Sequence, residues 1–410
     1  MKALFDRYRE IKKVLECEHN SYPLHNILSL EIISLVYGKK RVRVKEFAWL
    51  FLTQKIVINT DKKVLFSIGT YKRDDYYELL KYARTGLDSD LVDLSKLRKS
   101  FKFSLKNINF SFKYIFGRKI DLSLTSKLSL VSSLTYMLNI IDELEKNPFP
   151  THVQKFCSFC SMLNYEAILD YYFQKNGIQT YTLQHGLWFI YDSYPIDVVV
   201  YENFVAKNLL CWGEYTKDEF IKFGVDKDRL LIAGYPRKTK KLVEKKCQNL
   251  KILILFARVQ YHKNNLRIIE LLKELSNSID IEVEFKLHPS LDYKLYENLA
   301  KENGFKMAEN KTIQELITTN NYTLSIVYNS TAYYDSYLNN CISLRYKDVD
   351  ADNSTDVWSD GFSNHEELKS KIEFFKEKNS DQIFWDETEK KLEYILGFGT
   401  NKYKEILDVK

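Results

Sequence analysis

The chain has 410 residues, of which 45% are hydrophobic and 28% are charged, and it contains only 13 glycines and 6 prolines. This length allows two domains of ordinary size, and the composition excludes a disordered, fibrous or repeat protein. The formal net charge is +6, and six cysteines are too few for a framework of disulfides in a chain of this length.

The first 60 residues predict a helical extension, because apolar side chains recur at helical spacing over residues 8–16, 24–36 and 44–54. Charges occupy residues 1–10, where a signal peptide requires an apolar run. The longest uncharged stretch of the first half, residues 128–141, is too short to span a bilayer. We therefore expect a cytoplasmic protein that binds the inner face of the cell membrane peripherally.

Residues 94–120 contain no acidic side chain, and we call them the basic-aromatic segment. Its basic members are Lys96, Arg98, Lys99, Lys102, Lys106, Lys113, Arg118 and Lys119, and its aromatic members are Phe101, Phe103, Phe110, Phe112, Tyr114 and Phe116. This mixture is typical of a surface that binds an anionic membrane. The alternative is a solvated, partly buried face. No nucleic-acid-binding motif accompanies the segment, so we expect no nucleic-acid partner.

Strands and helices alternate through most of the chain. Strands are predicted over residues 63–68, 178–183, 209–212, 230–233, 252–256, 281–287, 324–328 and 341–345. Helices are predicted over residues 76–83, 120–145, 165–175, 216–223, 265–275, 294–303 and 332–338, followed by a mostly helical tail over 366–407. Asn164 is expected to cap its helix. Cys157 and Cys160 have the spacing of half a zinc site, but without a second half we interpret them as a buried strand end.

This alternation predicts an α/β fold with two Rossmann-like, doubly wound domains that face a cleft. We expect the first domain over residues 1–240 and the second over residues 241–385, joined by a lysine-rich connection at 238–251. The last segment, residues 386–410, is expected to be a helix that packs back on the first domain.

Polar pairs follow two of the predicted strands. His288 and Pro289 come directly after the strand at 281–287, and Ser330 and Thr331 follow the strand at 324–328 and open a helix. Proline ends a strand, and the carboxyl ends of strands in an open α/β sheet border the ligand crevice. Hydroxyls and backbone N–H groups at a helix start favour an anion. The two pairs therefore predict a phosphate site with an imidazole beside it.

Several motifs resemble those of GT-B-type glycosyltransferases that build bacterial surface polysaccharides. The resemblance covers residues 150–350 and includes Gln184-His185-Gly186 and Gly234-Tyr235-Pro236-Arg237 in the first domain. Lys286-Leu287-His288-Pro289 and Asn329-Ser330-Thr331 with Asp335 resemble motifs of two families. These are the sialyl- and polysialyltransferases and the CDP-glycerol glycerophosphotransferases of teichoic acid synthesis. In those families the motifs hold the phosphates of a CMP- or CDP-linked donor, which implies such a donor and a growing capsule or wall polysaccharide as acceptor.

Sugar transfer requires a bound leaving phosphate and a base that takes a proton from the acceptor hydroxyl. For the phosphate we expect His288, Ser330, Thr331 and Arg258, with Arg237 as a weaker candidate. For the base we expect His185, whose pKa normally lies near neutrality, with Asp74 or Asp75 as the alternative.

We expect no cofactor other than the nucleotide-sugar substrate and no metal, because no Asp-x-Asp pair was identified at a strand tip. The acceptor is expected to be an oligosaccharide or a lipid-linked sugar. Three alternatives remain: a CDP-glycerol or ribitol phosphotransferase, a sugar epimerase, and a noncatalytic protein that binds polysaccharide or lipid.

Overall fold

The computed structural model describes residues 2–38, 44–69, 73–187, 194, 196–245, 249–352 and 354–409. The chain divides into two compact units. The first contains Met1–Arg237 and Thr400–Lys410, and the second contains Lys238–Gly399. Residues 246–248 of the expected lysine-rich connection lie outside the described residues.

The N-terminal extension is mostly helical, as predicted. Its elements are α1 (Lys2–Val14), β1 (Glu18–His19), β2 (Tyr22–Pro23), α2 (Leu24–Ile27), α3 (Ser29–Val36), a 3-10 helix (Val44–Phe51) and β3 (Leu52–Gln54). Two parts differ from the prediction. Asn20 and Ser21 adopt positive φ angles of 51° and 66°, which suits the tight turn between β1 and β2. The helix predicted over residues 44–54 ends at Phe51, because residues 52–54 form a strand that pairs with a later strand.

The first unit is built around a six-stranded parallel sheet. Its elements after the extension are β4 (Val64–Ile68), α4 (Asp74–Ala83), β5 (Ser89–Asp93), β6 (Lys99–Phe101), α5 (Leu105–Phe116), α6 (Leu124–Glu145), β7 (Lys155–Ser158), α7 (Asn164–Lys175), β8 (Gln179–Leu183), α8 (Val199–Glu202), β9 (Asn208–Cys211), α9 (Glu214–Lys222) and β10 (Leu230–Ile232). The strand order is β10-β9-β8-β7-β4-β5, so the winding direction reverses between β4 and β7. A doubly wound sheet opens a ligand crevice at such a switch point.

The structure tests the predictions for the Cys157–Cys160 pair and for the start of α7. Cys157 and Cys160 are buried in and just after β7, which confirms the interpretation as a strand end. Asn164 is not the cap of α7, since Leu163 holds that position and the Asn164 amide donates instead to Glu31 (3.0 Å).

The second unit contains another six-stranded parallel sheet. Its elements are β11 (Lys251–Leu255), α10 (His262–Ser276), β12 (Glu282–Lys286), α11 (Tyr293–Glu302), β13 (Lys306–Met307), α12 (Ile313–Asn320), β14 (Leu324–Val327), α13 (Ala332–Leu338), β15 (Ile342–Tyr346), β16 (Gly361–Phe362), α14 (His365–Lys378) and α15 (Gln382–Leu396). The order is β13-β12-β11-β14-β15-β16, so the switch point lies between β11 and β14. These two doubly wound sheets confirm the predicted α/β, Rossmann-like fold class.

The unit boundaries differ in detail from the expected ones. The division falls after Arg237, and only Thr400–Lys410, including α16 (Tyr403–Leu407), belongs to the first unit. Helix α15 stays in the second unit, where its Trp385 is fully buried and donates to the Asn379 carbonyl (3.0 Å). In the first unit, Tyr403 is buried and its hydroxyl donates to the Gly234 carbonyl (2.8 Å).

Among the described residues, the structure contains no helix whose length and apolar content would let it cross a bilayer.

Candidate functional site

Three adjacent strand ends of the second sheet carry the predicted phosphate-binding residues. Arg258 follows β11, His288 follows β12, and Ser330 and Thr331 follow β14. Strand β11 pairs in parallel with both β12 and β14, so these ends lie side by side at the carboxyl edge. Arg258 and Ser330 flank the switch point, where doubly wound sheets bind their ligands.

The hydrogen bonds of His288 determine which ring nitrogen carries its proton. The backbone N–H of Ser290 donates to Nδ1 (3.1 Å), and the Ser290 hydroxyl lies 2.9 Å from the same nitrogen. Because Nδ1 accepts, a neutral imidazole carries its proton on Nε2 and can donate there. The N–H of Val259 donates to Ser290 Oγ (3.1 Å), which ties this turn to the segment after β11.

Pro289 shapes the turn that presents His288. The N–H of Leu291 donates to the His288 carbonyl (3.0 Å), which makes residues 288–291 a β-turn with proline at its second position. Proline is favoured there because its ring presets φ. Pro289 is exposed, and the role that the structure shows for it is to position its neighbours in this turn.

Ser330 and Thr331 lie at the start of α13, as predicted, but they have different roles. Ser330 Oγ accepts from the Ala332 N–H (3.2 Å), whereas Thr331 is the N-cap residue without a side-chain capping bond, and it is exposed. The preceding Asn329 has a φ of 41° and bonds the backbone of Asp350 (3.0 Å) and Asp352 (2.8 Å). The Asn329 amide therefore anchors the loop after β15 to this turn.

The two predicted arginines have different surroundings. Arg258 is exposed, and within the described ranges its guanidinium makes no ion pair or side-chain hydrogen bond. Arg237 is the last residue of the first unit, where its charge contributes to lowering the pKa of Asp75. The structure thus associates Arg258 with the strand ends of the second sheet and Arg237 with Asp75.

An Asp-x-Asp pair does follow a strand, contrary to the expectation from the sequence. Asp348 and Asp350 come just after β15, which neighbours β14. Asp348 already accepts hydrogen bonds from the Tyr328 hydroxyl (2.8 Å), the Asn264 amide and the Asp350 N–H (3.0 Å), so it ties the loops of this edge together. In the part of the chain that the structure describes, no group of three or more His, Cys, Asp or Glu residues could hold a metal.

In the first unit, the proposed base His185 lies just beyond β8 and is half-buried against aromatic rings. Its ring centroid lies 5.1 Å from that of Phe159 and 5.8 Å from that of Tyr76. Burial lowers the pKa of His185 to about 4, with a further decrease from the charge of Arg73. The expectation of a pKa near neutrality is therefore wrong, and the imidazole is neutral at pH 7.

Gln184 holds the loop that carries His185. Its side-chain oxygen accepts from the Trp212 N–H (2.6 Å), and its amide donates to the Gly186 carbonyl (2.8 Å) and to Thr216 (3.0 Å). This buried side chain therefore connects the ends of β8 and β9 with the start of α9. This role of Gln184 was not predicted from the sequence, although a polar side chain buried at a strand end is a signal for one.

The alternative bases, Asp74 and Asp75, occupy the first turn of α4. Asp75 forms a two-pronged ion pair with Arg73 (3.0 and 2.5 Å), and this pairing outweighs burial and lowers its pKa. Asp74 is exposed. Arg73 also lies over the Tyr76 ring (4.3 Å from its centroid) and so connects the Asp75 carboxylate to the aromatic surroundings of His185. Arg73 and Tyr76 were not identified from the sequence.

Comparison with known proteins gives similarity in structure only. No protein-family model and no curated protein matches the sequence. Anabaena HepE, solved with UDP-glucose, is 10% identical, with a TM-score of 0.49 over 84% of this chain and 99% of its own. A glycosyltransferase from Rickettsia africae is 12% identical, with a TM-score of 0.49 over 86% of this chain and 100% of its own.

A putative UDP-N-acetylglucosamine 2-epimerase from Listeria monocytogenes is 14% identical, with a TM-score of 0.47 over 84% of this chain and 94% of its own. Similarities of this size carry no information on activity. The function is therefore argued from the residues of the sites themselves.

Proposed function

We propose that the protein is a glycosyltransferase that moves a sugar from a nucleotide-activated donor. The observation that carries this proposal is the set of donors at the switch point of the second sheet. An exposed guanidinium (Arg258), a histidine that presents Nε2–H (His288) and two hydroxyls (Ser330 and Thr331) lie at three adjacent strand ends. Such a set suits the oxygens of a diphosphate.

These groups would act on the leaving nucleotide phosphate. Negative charge builds up on that phosphate as the sugar–oxygen bond breaks, and preorganised donors stabilise it more than they stabilise the intact donor. Arg258 supplies a permanent positive charge, and His288 supplies a directed hydrogen bond without needing to be protonated. We therefore propose that the reaction needs no metal.

The nature of the donor and the acceptor is a finer part of the proposal. The resemblance of residues 286–289 and 329–331 to the sialyltransferase and glycerophosphotransferase motifs favours a CMP- or CDP-linked donor and a growing capsule or wall polysaccharide. A glycerol or ribitol phosphotransferase would use the same phosphate site. The two reactions differ in their products, because only the phosphotransferase leaves a phosphodiester on the acceptor.

We propose His185 as the base that takes the proton of the acceptor hydroxyl. Its neutral imidazole at the carboxyl edge of the first sheet supports this role. The reserve candidate Asp75 is paired with Arg73, so accepting a proton would cost that ion pair. Among the described residues Asp74 forms no such ion pair, and it stays the second reserve candidate.

We also propose that the basic-aromatic segment docks on the anionic inner face of the membrane. Phe101, Phe103 and Leu105 are 76%, 57% and 68% exposed. Leu105, Phe112 and Phe116 share the outer face of α5, whereas Tyr114 and Ile115 on the opposite face are buried. Exposed cations flank these apolar side chains: Arg98, Lys106, Lys113 and Lys119. Apolar side chains among cations are complementary to an anionic bilayer.

Thermal-shift measurements with CMP, CDP, UDP and GDP test the donor site. A nucleotide at a hundredfold excess over its Kd stabilises the native state by about 2.7 kcal/mol, which raises the melting temperature by roughly 5 °C or more. We expect Arg258→Ala to abolish this rise. Arg267→Ala, an exposed arginine of α10 in the same unit, should keep it. If no nucleotide raises the melting temperature, the donor-site assignment is wrong.

A further inference from the structure

A cavity of about 160 Å³ lies within the first unit, at the switch point of its sheet. Its wall includes Gly69, which follows β4, and the first residues of α7, which follows β7. The N-terminal extension and α6 supply the rest of the wall, including Glu31, Trp49 and Tyr136. The cavity thus occupies the position where a doubly wound sheet binds a ligand, and this chain closes it with an extension of its own.

Three aromatic side chains form much of the wall. The ring centroids of Trp49 and Tyr136 are 5.7 Å apart with an angle of 30° between the planes. Tyr165, in the first turn of α7, is nearly perpendicular to Tyr136 (88°, 6.1 Å). Rings at two orientations offer both a face and an edge to the C–H groups of a small ligand.

Polar groups converge on the same cavity. The Asn164 amide donates to Glu31 (3.0 Å), and the Asn164 side-chain oxygen is buried and, among the described residues, accepts no hydrogen bond. The Glu166 carboxylate is held by the Ser67 hydroxyl (2.7 Å) and by two backbone N–H groups, at 2.8 and 3.2 Å. The cavity therefore offers several hydrogen-bond acceptors in fixed positions, which suits a ligand rich in hydroxyl donors.

The charged groups in and near the cavity wall indicate which class of ligand the cavity binds. No lysine or arginine is found among the described residues of the wall, and the Glu31 carboxylate is part of it, so a phosphate or other anion is disfavoured. A cation is also disfavoured, because Lys99 Nζ already lies 5.3 Å from the Trp49 centroid and 5.4 Å from that of Tyr136. Burial raises the pKa of Glu166 to about 8, which further reduces the attraction for a cation at pH 7.

We infer that this cavity binds one neutral pyranose ring, with the ring's C–H face against Trp49 and its hydroxyls donating to Glu31 and Asn164. The cavity volume suits a ligand of that size. Only the role of this site, as the pocket for the terminal sugar of the acceptor, rests on the proposed function. The binding of the sugar itself does not.

Saturation-transfer NMR on the full chain tests the inference, without any nucleotide present. The probes are the methyl pyranosides of glucose, galactose, mannose and N-acetylglucosamine, with methylammonium and methyl phosphate as charged controls. We expect transfer to at least one pyranoside and to neither control. Trp49→Ala should weaken that binding about tenfold, the loss expected for one aromatic contact.

Two further variants make the result specific. Phe101→Ala removes an exposed aromatic side chain of the same unit that does not line the cavity, and it should bind the sugar as the wild type does. Glu31→Gln keeps an oxygen that can accept from Asn164 but changes the carboxylate to an amide, and it should weaken binding even if Trp49→Ala fails to fold.

Three outcomes overturn the inference: no transfer to any of the four pyranosides, transfer to methylammonium or methyl phosphate instead, or unchanged sugar binding in both Glu31→Gln and folded Trp49→Ala. The nucleotide thermal shift separates this inference from the proposed function. Sugar binding without any nucleotide response would contradict the transferase proposal and leave the pyranose site standing. A nucleotide response without sugar binding would support the transferase proposal and contradict the pyranose site.

Discussion

At the scale of single residues, His288 has the most direct expected effect on the reaction. Its Nδ1 accepts from Ser290, so Nε2–H is oriented before any ligand binds. Loss of one preorganised donor costs roughly 2–4 kcal/mol of transition-state stabilisation, so His288→Ala should lower kcat about 30- to 10³-fold. His152→Ala, which removes an exposed histidine of the first unit, is the control. Steady-state kinetics with equal kcat for wild type and His288→Ala would rule out this role.

The low pKa of His185 gives a prediction for the pH dependence of the rate. Burial lowers this pKa to about 4, so the imidazole stays in its neutral, proton-accepting form down to that pH. If His185 is the base, kcat should stay level between pH 8 and pH 6 and fall only as the pH approaches about 4. His185→Ala should lower kcat about 10²–10⁴-fold and remove that acid limb. If the fall of kcat at low pH persists in His185→Ala, and Asp74→Asn or Asp75→Asn is inactive, the general base is a carboxylate.

The same shift affects stability. The unfolded histidine has an ordinary pKa of about 6.5, so the unfolded chain binds more protons than the folded chain between that pH and about 4. The contribution of His185 to stability is therefore complete above pH 6.5 and decreases as the pH falls towards 4.

Some of these residues could be read from the sequence and others could not. His288, Ser330 and Arg258 were identifiable because each directly follows an apolar run, and strand ends are local features of a sequence. The Arg73–Asp75 pair and the aromatic surroundings of His185 depend on which strands become neighbours in the folded sheet. The low pKa of His185 follows from that packing and was mispredicted for the same reason.

At the scale of elements, β6 and α5 carry the proposed membrane surface. Each basic residue near an anionic surface contributes roughly 1 kcal/mol, so replacing Arg98, Lys106, Lys113 and Lys119 with glutamine should weaken binding to anionic liposomes at least tenfold. Lys96 and Lys102 are less suitable targets, because Lys96 pairs with Asp93 (3.1 Å) and half-buried Lys102 pairs with Glu143 (2.9 Å).

Liposome sedimentation measures this effect. The matched control replaces four exposed lysines of the second unit with glutamine: Lys263, Lys273, Lys294 and Lys301. We expect the control to bind anionic vesicles as the wild type does and neither protein to bind neutral vesicles strongly. Equal binding to neutral and anionic vesicles, or equal loss in the two quadruple variants, would refute the assignment of this surface.

The docking of the last residues on the first unit gives a stability prediction. Gly234 has a φ of 98°, and a Cβ at this position would lie 1.9 Å from the Thr400 carbonyl oxygen. Gly224 has almost the same φ of 99°, but among the described residues, its chain neighbours aside, no atom lies within 4 Å of such a Cβ. Gly224→Ala should therefore cost only the backbone strain, about 1–2 kcal/mol, whereas Gly234→Ala should cost roughly 1–3 kcal/mol more. Chemical denaturation measures both, and equal losses would mean that the contact with Thr400 contributes nothing.

The elements that the sequence predicted are those with continuous apolar runs, an alternation of apolar and charged residues, or clear helical spacing. Strands β4, β11 and β14 are buried on both faces or nearly so, and their continuous apolar residues marked them. Strand β12 is buried on one face only, where Val283 and Phe285 lie, and its alternation of apolar and charged residues marked it. Strands β5 and β6 were missed because Ser89–Asp93 and Lys99–Phe101 are short and polar, and both obtain their structure from the strands beside them. The segment that joins the first unit was predicted to begin at residue 386, but it begins at Thr400. The sequence did not show this because α15 is amphipathic, and its pattern does not indicate which core buries its apolar face.

The whole molecule consists of two doubly wound units, to which we propose separate tasks. The second carries the residues of the proposed phosphate site at its switch point, and the first carries His185 and an aromatic cavity at the carboxyl edge of its own sheet. His185 and the proposed phosphate-binding residues all follow parallel strands. The sequence could predict this arrangement because the alternation of strands and helices determines which residues end at a carboxyl edge.

Metal-independent transfer from a nucleotide sugar is tested most directly by measuring the turnover of nucleotide sugars by the full chain in the presence of EDTA. Phosphorus NMR would follow CMP-, CDP-, UDP- and GDP-linked donors with an oligosaccharide acceptor. We predict release of the nucleotide from one of these donors at an unchanged rate in EDTA. We also predict a large loss of rate in Arg258→Ala but not in Arg267→Ala. Turnover of none of the four donors would contradict the proposed sugar transfer, and turnover that EDTA abolishes and magnesium restores would contradict its independence of metal.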